Sequence, residues 1–252
     1  MTFDFGHHIM HHMVNSGEWH LPFLPALKLP EPLTLHALML IFGTFFLLFI
    51  FCVLYKKDQR VPTGLTNLLE SIIVFIRDDI VIASLGEKDG RKMTPLFCTF
   101  FFFILILNLM GLIPLFASAT ANINVTAALA LITFSFMIFG AIYRNGFKKF
   151  FQAFVPTGIP FPFLFMIVPL EILGVFIKTF ALTVRLFANM LAGHITIAAL
   201  VGLVVLFGVI AFPLLFLAVF IYLIEILVVF IQAYIFTLLS AMFIGQMYHP
   251  EH

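Results

Sequence analysis

Long apolar runs separated by short charged clusters dominate this chain. A membrane-spanning helix needs about 20 apolar residues to cross a hydrocarbon core about 30 Å thick, and residues 35–55 meet that requirement. Residues 93–143 contain no Asp, Glu, Lys or Arg, and this stretch is too long for a single crossing. Because a polar, turn-forming stretch around Ser118 divides it, the pattern predicts two further spans, near 93–115 and 124–143.

The segment between the first two spans has a different pattern. Apolar side chains in residues 64–83 recur at i, i+3 and i+4 spacing, but Glu70, Arg77, Asp78 and Asp79 interrupt them. This spacing is typical of an amphipathic helix. We therefore expect a helix that lies at the membrane interface or against other helices rather than a further span.

The last two apolar segments are unusually long. They follow a linker rich in proline and glycine at 150–163, and they cover roughly 164–202 and 206–247. As a helix, the first of them would extend about 58 Å, roughly twice the thickness of the hydrocarbon core. Since membrane helices tilt by only about 20° on average, we expect a steeply tilted or broken helical hairpin with its turn near 203–208.

Composition and charge support a membrane protein and nearly exclude a soluble one. The chain is 63% hydrophobic and 10% charged, whereas soluble domains carry about 25% charged residues. We predict an all-α integral membrane protein with five membrane-crossing helices and one interfacial amphipathic helix. Residues 1–34 form an N-terminal extramembrane segment in this interpretation, and residues 35–252 form the membrane domain.

The basic clusters predict the orientation of the chain. All three fall on one side of the five predicted spans, and the positive-inside rule assigns that side to the cytoplasm. The N-terminus is then outside and the C-terminus cytoplasmic. The clusters are Lys56, Lys57 and Arg60; Lys88, Arg91 and Lys92; and Arg144, Lys148 and Lys149.

A few polar side chains interrupt the two long apolar segments. Charged groups at bilayer depth cost a few to more than ten kcal/mol, so they normally face protein or water and mark ion paths. On the first segment, Glu171, Lys178 and Arg185 are spaced by seven residues and share one helix face, and Asn189 follows one turn later. The second segment has a similar heptad stripe, which consists of Glu225, Gln232, Leu239 and Gln246.

An antiparallel hairpin would bring particular polar residues to the same level. The numbers of Arg185 and Gln232 add to 417, and those of His194 and Glu225 add to 419, so one register fits both pairs. His194 lies about 13 Å beyond Arg185 along the helix axis, and Glu171 lies about 21 Å before it. Arg185 therefore separates an outer polar set from an inner one.

The chemistry of these residues fits proton movement. A histidine titrates near pH 6.5 and a neighbouring carboxylate can shift that value, so His194 and Glu225 could exchange protons near neutrality. The pKa of arginine exceeds about 12, so Arg185 cannot relay protons. It can attract a carboxylate brought to it, displace the proton of that carboxylate and block direct flow. This interpretation requires a moving partner that carries the proton across.

Simpler interpretations remain open for several of these residues. Gln232 and Asn189 could be helix contacts only, and Lys178 could extend to the membrane surface or pair with an acid such as Glu171. The histidines at residues 7–12 have a spacing that metal sites use, but a solvated helix turn is the simpler interpretation. We expect no metal or cofactor, and without a G-x-x-x-x-G-K motif we expect no nucleotide site.

Several motifs together resemble a known family. Residues 183–194 read TVRLFANMLAGH, and NLMGLIP, TANINVT and EILVVFIQAYIF occur at 108–114, 120–126 and 225–236. These motifs closely resemble subunit a of the membrane (Fo) sector of bacterial F-type ATP synthases, over a region from about residue 31 to the C-terminus.

The resemblance implies a non-catalytic stator beside a rotating ring of c subunits. Arg185 matches the essential arginine of the family. An outer half-channel would use His194, Glu225, Asn189 and Gln232, and Glu171 would belong to an inner one. The implied partners are the c-ring, the b-subunit stalk, other ATP synthase subunits and membrane lipid, with no nucleic acid. The implied location is a bacterial inner membrane.

Two other function classes were weighed. A secondary transporter also uses intramembrane charges, but such proteins often contain internal repeats, and we find none in this sequence. A purely structural scaffold would not need His194 and Glu225 at one level. The coupling ion stays open between proton and sodium, although a proton is favoured.

Overall fold

The computed structural model describes most of the chain. The described residues are 18–19, 27–28, 34–54, 64–113, 116–152, 154–155, 161–208 and 212–249. Ordered structure in these ranges is helical apart from one short antiparallel pair, β1 (Glu18–Trp19) with β2 (Leu27–Lys28). The sequence did not predict this pair. The histidines at residues 7–12 lie outside the described residues.

Helix α1 covers Leu35–Phe49 and continues as a π-helical turn at Ile50–Leu54. The Thr34 hydroxyl accepts a hydrogen bond from the backbone N–H of Ala37 at 3.4 Å and caps the helix start. This helix corresponds to the first predicted span.

Helix α2 (Leu65–Phe75), a π-helical segment (Ile76–Ile82) and helix α3 (Ala83–Leu112) follow one another without a loop. Gly86 interrupts their path with φ 76° and ψ 168°, a conformation that glycine adopts without strain. The predicted amphipathic helix and the second predicted span are therefore consecutive parts of one bent helical stretch.

The third span is helix α4 (Ile123–Ser135), a π-helical turn (Phe136–Gly140) and helix α5 (Ala141–Asn145). Gly146 ends α5 with φ 80°. The short helix α6 (Phe147–Gln152) follows at once, so the predicted linker at 150–163 begins within a helix.

Of the last two helices, the first is longer than the predicted segment 164–202 and the second is shorter than the predicted segment 206–247. Helix α7 covers Phe161–Phe207 and contains Pro169, and helix α8 covers Phe212–Tyr248. Helix α7 begins inside the predicted linker and runs through most of the predicted turn. At a rise of 1.5 Å per residue, α7 and α8 extend about 70 Å and 56 Å, well beyond the thickness of the membrane core.

Within the described part of the chain, five helical stretches are long and apolar enough to cross a membrane, which confirms the predicted fold class and the predicted number of spans. They are Leu35–Val53, Leu65–Leu112, Ile123–Asn145, Phe163–Phe207 and Phe212–Tyr248. Which side of the membrane each end occupies, and whether α2 lies at the interface, stay predictions.

The chain divides into two compact units. The first consists of the described parts of Met1–Leu54, Phe102–Val125 and Leu186–Ala233, and the second of those of Tyr55–Phe101, Thr126–Arg185 and Tyr234–His252. In the first unit, α1 packs on α3 and the following turn. Its apolar core cluster consists of Leu35, Met39, Leu107, Ala117 and Ala119.

The second unit is held together by polar contacts as well as apolar ones. Buried Thr133 and Ser240 share a hydrogen bond of 3.0 Å between α4 and α8. The rings of Phe100 and Phe236 meet edge to face at 5.6 Å. A Cβ at Gly245 would overlap the backbone of Ser84, so α8 and the start of α3 approach more closely here than a larger residue allows.

Candidate functional site

Helix α8 buries two polar side chains of the predicted site. Glu225 and Gln232 are 7% and 5% exposed, and their spacing of seven residues gives them one helix face. Both carboxyl oxygens of Glu225 and the amide nitrogen of Gln232 lack a hydrogen-bond partner among the described residues. Because a buried polar atom without a partner costs about 1–3 kcal/mol, this face of α8 requires partners beyond those that the described chain supplies.

Helix α7 places a third side chain of this kind in the same unit. His194 is partly buried, and its Nε2 atom is buried without a hydrogen-bond partner among the described residues. No hydrogen bond joins it to Glu225 in the described part of the chain. An imidazole and a carboxyl group both take up and release protons, so the two side chains have the chemistry that the sequence predicted for this pair.

Gly193 brings the two helices together beside His194. A Cβ at this position would lie 2.6 Å from the carboxyl carbon of Glu225 and would overlap one of its oxygens. The absence of a side chain therefore lets the Glu225 carboxyl lie against the α7 backbone. The numbers of Gly193 and Glu225 add to 418, which agrees with the predicted register at this level of the hairpin.

Arg185 has very different surroundings. It is exposed, whereas Leu182 and Leu186 on either side are 2% and 0% exposed, so α7 buries one face and presents the guanidinium on another. Among the described residues Arg185 forms no hydrogen bond or ion pair. Arg185 belongs to the second unit and Gln232 to the first, and their predicted common level stays a prediction.

The remaining predicted residues are separate from the buried set. Glu171 is exposed and Asn189 is half-buried. The described structure gives neither of them a hydrogen bond. Lys178 does not pair with Glu171: its Nζ donates to Gln246 Oε1 at 2.9 Å and lies 5.6 Å from the centre of the Phe243 ring.

The Lys178 contact also limits the predicted register. The numbers of Lys178 and Gln246 add to 424, which lies above the 417–419 of the predicted register. The contact joins the ends of two long side chains, so the sum at this level reflects their reach as well as the positions of the helix backbones.

Two of the family-like motifs meet in a buried polar cluster within the first unit. Thr120 donates to Asn108 Oδ1 at 2.6 Å, and Ser118 shares a hydrogen bond of 3.4 Å with Thr120. Tyr222, one turn before Glu225, donates to the Leu112 carbonyl at 3.3 Å. In the sequence, Asn108 was identified as the first residue of the motif at 108–114, and Tyr222 was not identified. The hydroxyl of Tyr222 within an apolar helix is the only sequence signal that could have indicated it.

A second polar cluster, also missed, surrounds the C-terminal end of α8. Arg144 forms an ion pair of 2.5 Å with Asp89 and donates to the Tyr248 carbonyl at 2.8 Å. The Asn145 amide also donates to this carbonyl at 3.1 Å, and His249 Nε2 lies 2.9 Å from the Leu85 carbonyl. These contacts supply hydrogen-bond donors to a backbone carbonyl at the end of α8 and join this end to α3 and α5. In the sequence, Arg144 was interpreted only as part of a basic cluster that predicts the orientation of the chain in the membrane.

Comparison with known proteins identifies the matching family. The family model described as ATP synthase A chain matches residues 36–245, a range that includes Glu171, Arg185, Asn189, His194, Glu225 and Gln232. The chain is 45% identical over 223 residues to "ATP synthase subunit a" of Anaeromyxobacter dehalogenans strain 2CP-C, covering 86% of this chain and 58% of the relative. Over 260 residues it is also 45% identical to the protein of that name from Chloroherpeton thalassium, covering 96% and 77%.

A third relative with this name, from Myxococcus xanthus, is 42% identical over 208 residues, covering 78% of this chain and 67% of the relative. The chain spans 50% to 58% of the length of three Anaeromyxobacter relatives.

Proposed function

Since this chain belongs to the ATP synthase A chain family, we propose that it is a stationary, ion-conducting subunit of an F-type ATP synthase. It works beside a rotating ring of c subunits and couples proton flow across the membrane to ATP synthesis. The chain itself is non-catalytic, and nucleotide is bound by other subunits. The observation that carries the proposal is the set of buried polar atoms without hydrogen-bond partners on His194, Glu225 and Gln232.

The outer half-channel ends at this buried set. Water that enters from outside satisfies the polar atoms of His194, Glu225 and Gln232, and protons pass along these side chains toward the ring. Asn189 lies five residues before His194 on α7 and contributes an amide to the same route. Gly193 keeps the Glu225 carboxyl against α7, so the proton is transferred at a fixed position.

Arg185 separates the two half-channels. A fixed guanidinium stays charged at every physiological pH, so it repels a proton that would pass directly between them. It attracts a carboxylate on the ring and favours its ionised form, which promotes release of the proton. Its exposure and its lack of a pairing residue among the described ones leave the guanidinium available for this external partner.

The inner half-channel opens near Glu171. This carboxylate lies fourteen residues before Arg185 on α7, which corresponds to about 21 Å along the helix axis. It receives protons released from the ring and passes them to the cytoplasm. Moving one charge across the membrane yields only about 2.3 kcal/mol per 100 mV, so each ATP requires several such transfers, which a rotating ring supplies.

The proposal also specifies partners and location. The c-ring faces Arg185, and a b-subunit stalk holds the chain stationary against the torque of the ring. The chain sits in a bacterial inner membrane, with its N-terminus outside and its C-terminus in the cytoplasm. The three basic clusters fall on one side of the five spans predicted from the sequence and support this orientation.

The substitution Arg185→Ala tests the separator role. In inverted membrane vesicles containing the complete ATP synthase, we expect ATP-driven proton pumping to be abolished while the subunits still assemble. We also expect passive proton leak to increase, because the barrier between the half-channels is gone. Pumping is followed with a fluorescent pH-gradient probe and leak by decay of an imposed gradient. Normal ATP-driven pumping in this variant would reject the proposal.

A matched control removes a different cation from the same helix. Lys178→Ala eliminates a positive charge seven residues before Arg185 and should leave pumping largely intact. Copurification of the c-ring with both variants checks assembly. Equal loss of pumping in the two variants would assign the effect to helix charge in general and would contradict a specific separator.

A further inference from the structure

Exposed aromatic side chains follow one another at the end of the third span. Phe139, Tyr143, Phe147 and Phe151 recur at intervals of four residues, and they are 70%, 94%, 65% and 53% exposed. We call these four residues the aromatic stripe. Aromatic side chains are enriched where a membrane protein passes through the headgroup layer, because their rings are apolar but tolerate contact with water.

Helix α6 carries the second half of the stripe and is too short to enter the membrane core. Its six residues, Phe147–Gln152, extend only about 9 Å. Phe150 and Phe154 are buried, and their ring centroids lie 5.2 Å apart. Phe147 and Phe151 stack edge to face at 4.9 Å while remaining exposed. One side of α6 is therefore anchored in the protein, and the other presents aromatic rings.

The sequence of this segment carries positive charge and no acidic residue. Residues 140–170 contain no Asp or Glu. Arg144 is neutralised by its ion pair with Asp89. Lys148 is exposed and makes no ion pair among the described residues, and Lys149 follows it in sequence. The exposed side chain of Lys148 thus accompanies the exposed rings of the aromatic stripe, and the sequence places a second lysine directly after it.

We propose that α6 and the aromatic stripe form a binding surface for anionic phospholipid headgroups. The rings enter the boundary between headgroups and acyl chains, and Lys148 and Lys149 bind lipid phosphates from the same leaflet. Charge complementarity favours this occupant, since a zwitterionic lipid offers no net charge for two cations. An acidic protein segment would satisfy the lysines but would not require four exposed aromatic rings at regular spacing.

The test uses the full chain in nanodiscs and a tryptophan placed in the stripe. Trp19 is the only tryptophan of the chain and is removed as Trp19→Phe, and Tyr143→Trp then reports on nearby lipid. Quenching by brominated phosphatidylglycerol is compared with quenching by brominated phosphatidylcholine. Each lysine near an anionic surface contributes about 1 kcal/mol, or about fivefold. We therefore expect a phosphatidylglycerol preference between about fivefold and 25-fold, and we expect high salt to reduce it.

Substitutions of the two lysines identify the cause of the preference. The double variant Lys148→Gln/Lys149→Gln should lose most of it, and Lys148→Arg/Lys149→Arg should retain it because the charge is kept. The matched control Lys88→Gln/Lys92→Gln removes two lysines from another basic cluster and should leave the preference unchanged. Circular dichroism of each variant checks that the helices are intact.

Three results would overturn the proposal. One is equal quenching by the two lipids in the unsubstituted background. Another is an equal loss of preference in the Lys88/Lys92 control, which would indicate a general effect of basic residues. The third is an unchanged lipid preference in the Lys148/Lys149 glutamine variant, together with weaker binding of other ATP synthase subunits. That result would assign the surface to a protein partner.

Discussion

Replacing Gly193 with alanine would push a methyl group into the carboxyl group of Glu225. The added carbon would lie 2.6 Å from the carboxyl carbon, whereas non-bonded carbons settle near 3.5–4.0 Å, so one group must move by about 1 Å. Overpacking of this kind costs about 1–3 kcal/mol. For a transfer that depends on position, a shift of about 1 Å can reduce the rate about 100-fold.

The assay is the initial rate of ATP-driven proton pumping in inverted vesicles, normalised to the amount of assembled ATP synthase. We expect Gly193→Ala to lower this rate between about 10-fold and 100-fold. Gly174→Ala is the matched control, because an added Cβ on the same helix meets no described atom within 4 Å. It should pump normally and should stabilise α7 slightly, since alanine is favoured over glycine in helices by about 0.5–1 kcal/mol.

A second substitution distinguishes a steric clash with Glu225 from any other effect of Gly193→Ala. Glu225→Asp shortens the side chain by one methylene and keeps the carboxyl group, so it should partly restore pumping when combined with Gly193→Ala. The reasoning would be refuted if Gly193→Ala pumped as well as Gly174→Ala. It would also be refuted if the double variant pumped no better than Gly193→Ala alone.

Two stability predictions concern the polar clusters. Asp89→Asn removes the partner of Arg144 in a pair that is 16% and 28% exposed, and partial solvation reduces the expected loss to about 1–3 kcal/mol. Glu87→Gln is the control, because the side chains of Glu87 and its partner Arg91 are 73% and 64% exposed, and it should cost less than about 1 kcal/mol. Thermal unfolding in detergent compares the two variants. Equal losses of stability would contradict the assigned role of Arg144. Asn108→Ala leaves the buried Thr120 hydroxyl without its acceptor and should cost about 1–3 kcal/mol. In the same assay Asn108→Ala/Thr120→Val should recover part of the loss, because it also removes the hydroxyl left without its acceptor. An alanine variant as stable as wild type would contradict the cluster.

Apolar length predicted the architecture well because it reflects a simple requirement. A helix that crosses a membrane must present about 20 apolar residues, so five spans and two very long final helices were identifiable without knowledge of any contact. The boundaries were less predictable. No helical pattern of apolar residues is visible within the predicted linker at 150–163, yet α7 begins inside it at Phe161. Only the packing of a chain, not its hydropathy, determines how far a helix continues into such a segment.

One feature of the candidate site, the common level of two residues, was predictable because it depends only on spacing along the two helices. The level of His194 and Glu225 follows from an antiparallel register, and the contact of Gly193 with Glu225 agrees with it. The pairing of Lys178 with Gln246 has a larger sum than that register. It depends on the reach of two long side chains, which spacing along the sequence does not determine. Likewise, no periodic pattern connects Asp89 with Arg144, because their ion pair joins helices that are distant in sequence.

The contrast in burial between the outer set and Arg185 is itself an argument for a partner. Glu225 and Gln232 are buried and lack hydrogen-bond partners in the described chain, so water that penetrates between α7 and α8 can satisfy them. Arg185 is exposed on a helix most of whose exposed side chains are apolar, such as Phe176 and Phe180. If lipid covered that face, a guanidinium there would cost between a few and more than ten kcal/mol. A carboxylate on a second membrane protein would remove that cost by pairing with the arginine. A partner that brings one carboxylate after another to Arg185 would pair with the guanidinium each time. Each pairing would favour loss of the proton from that carboxylate and so give proton transfer a direction.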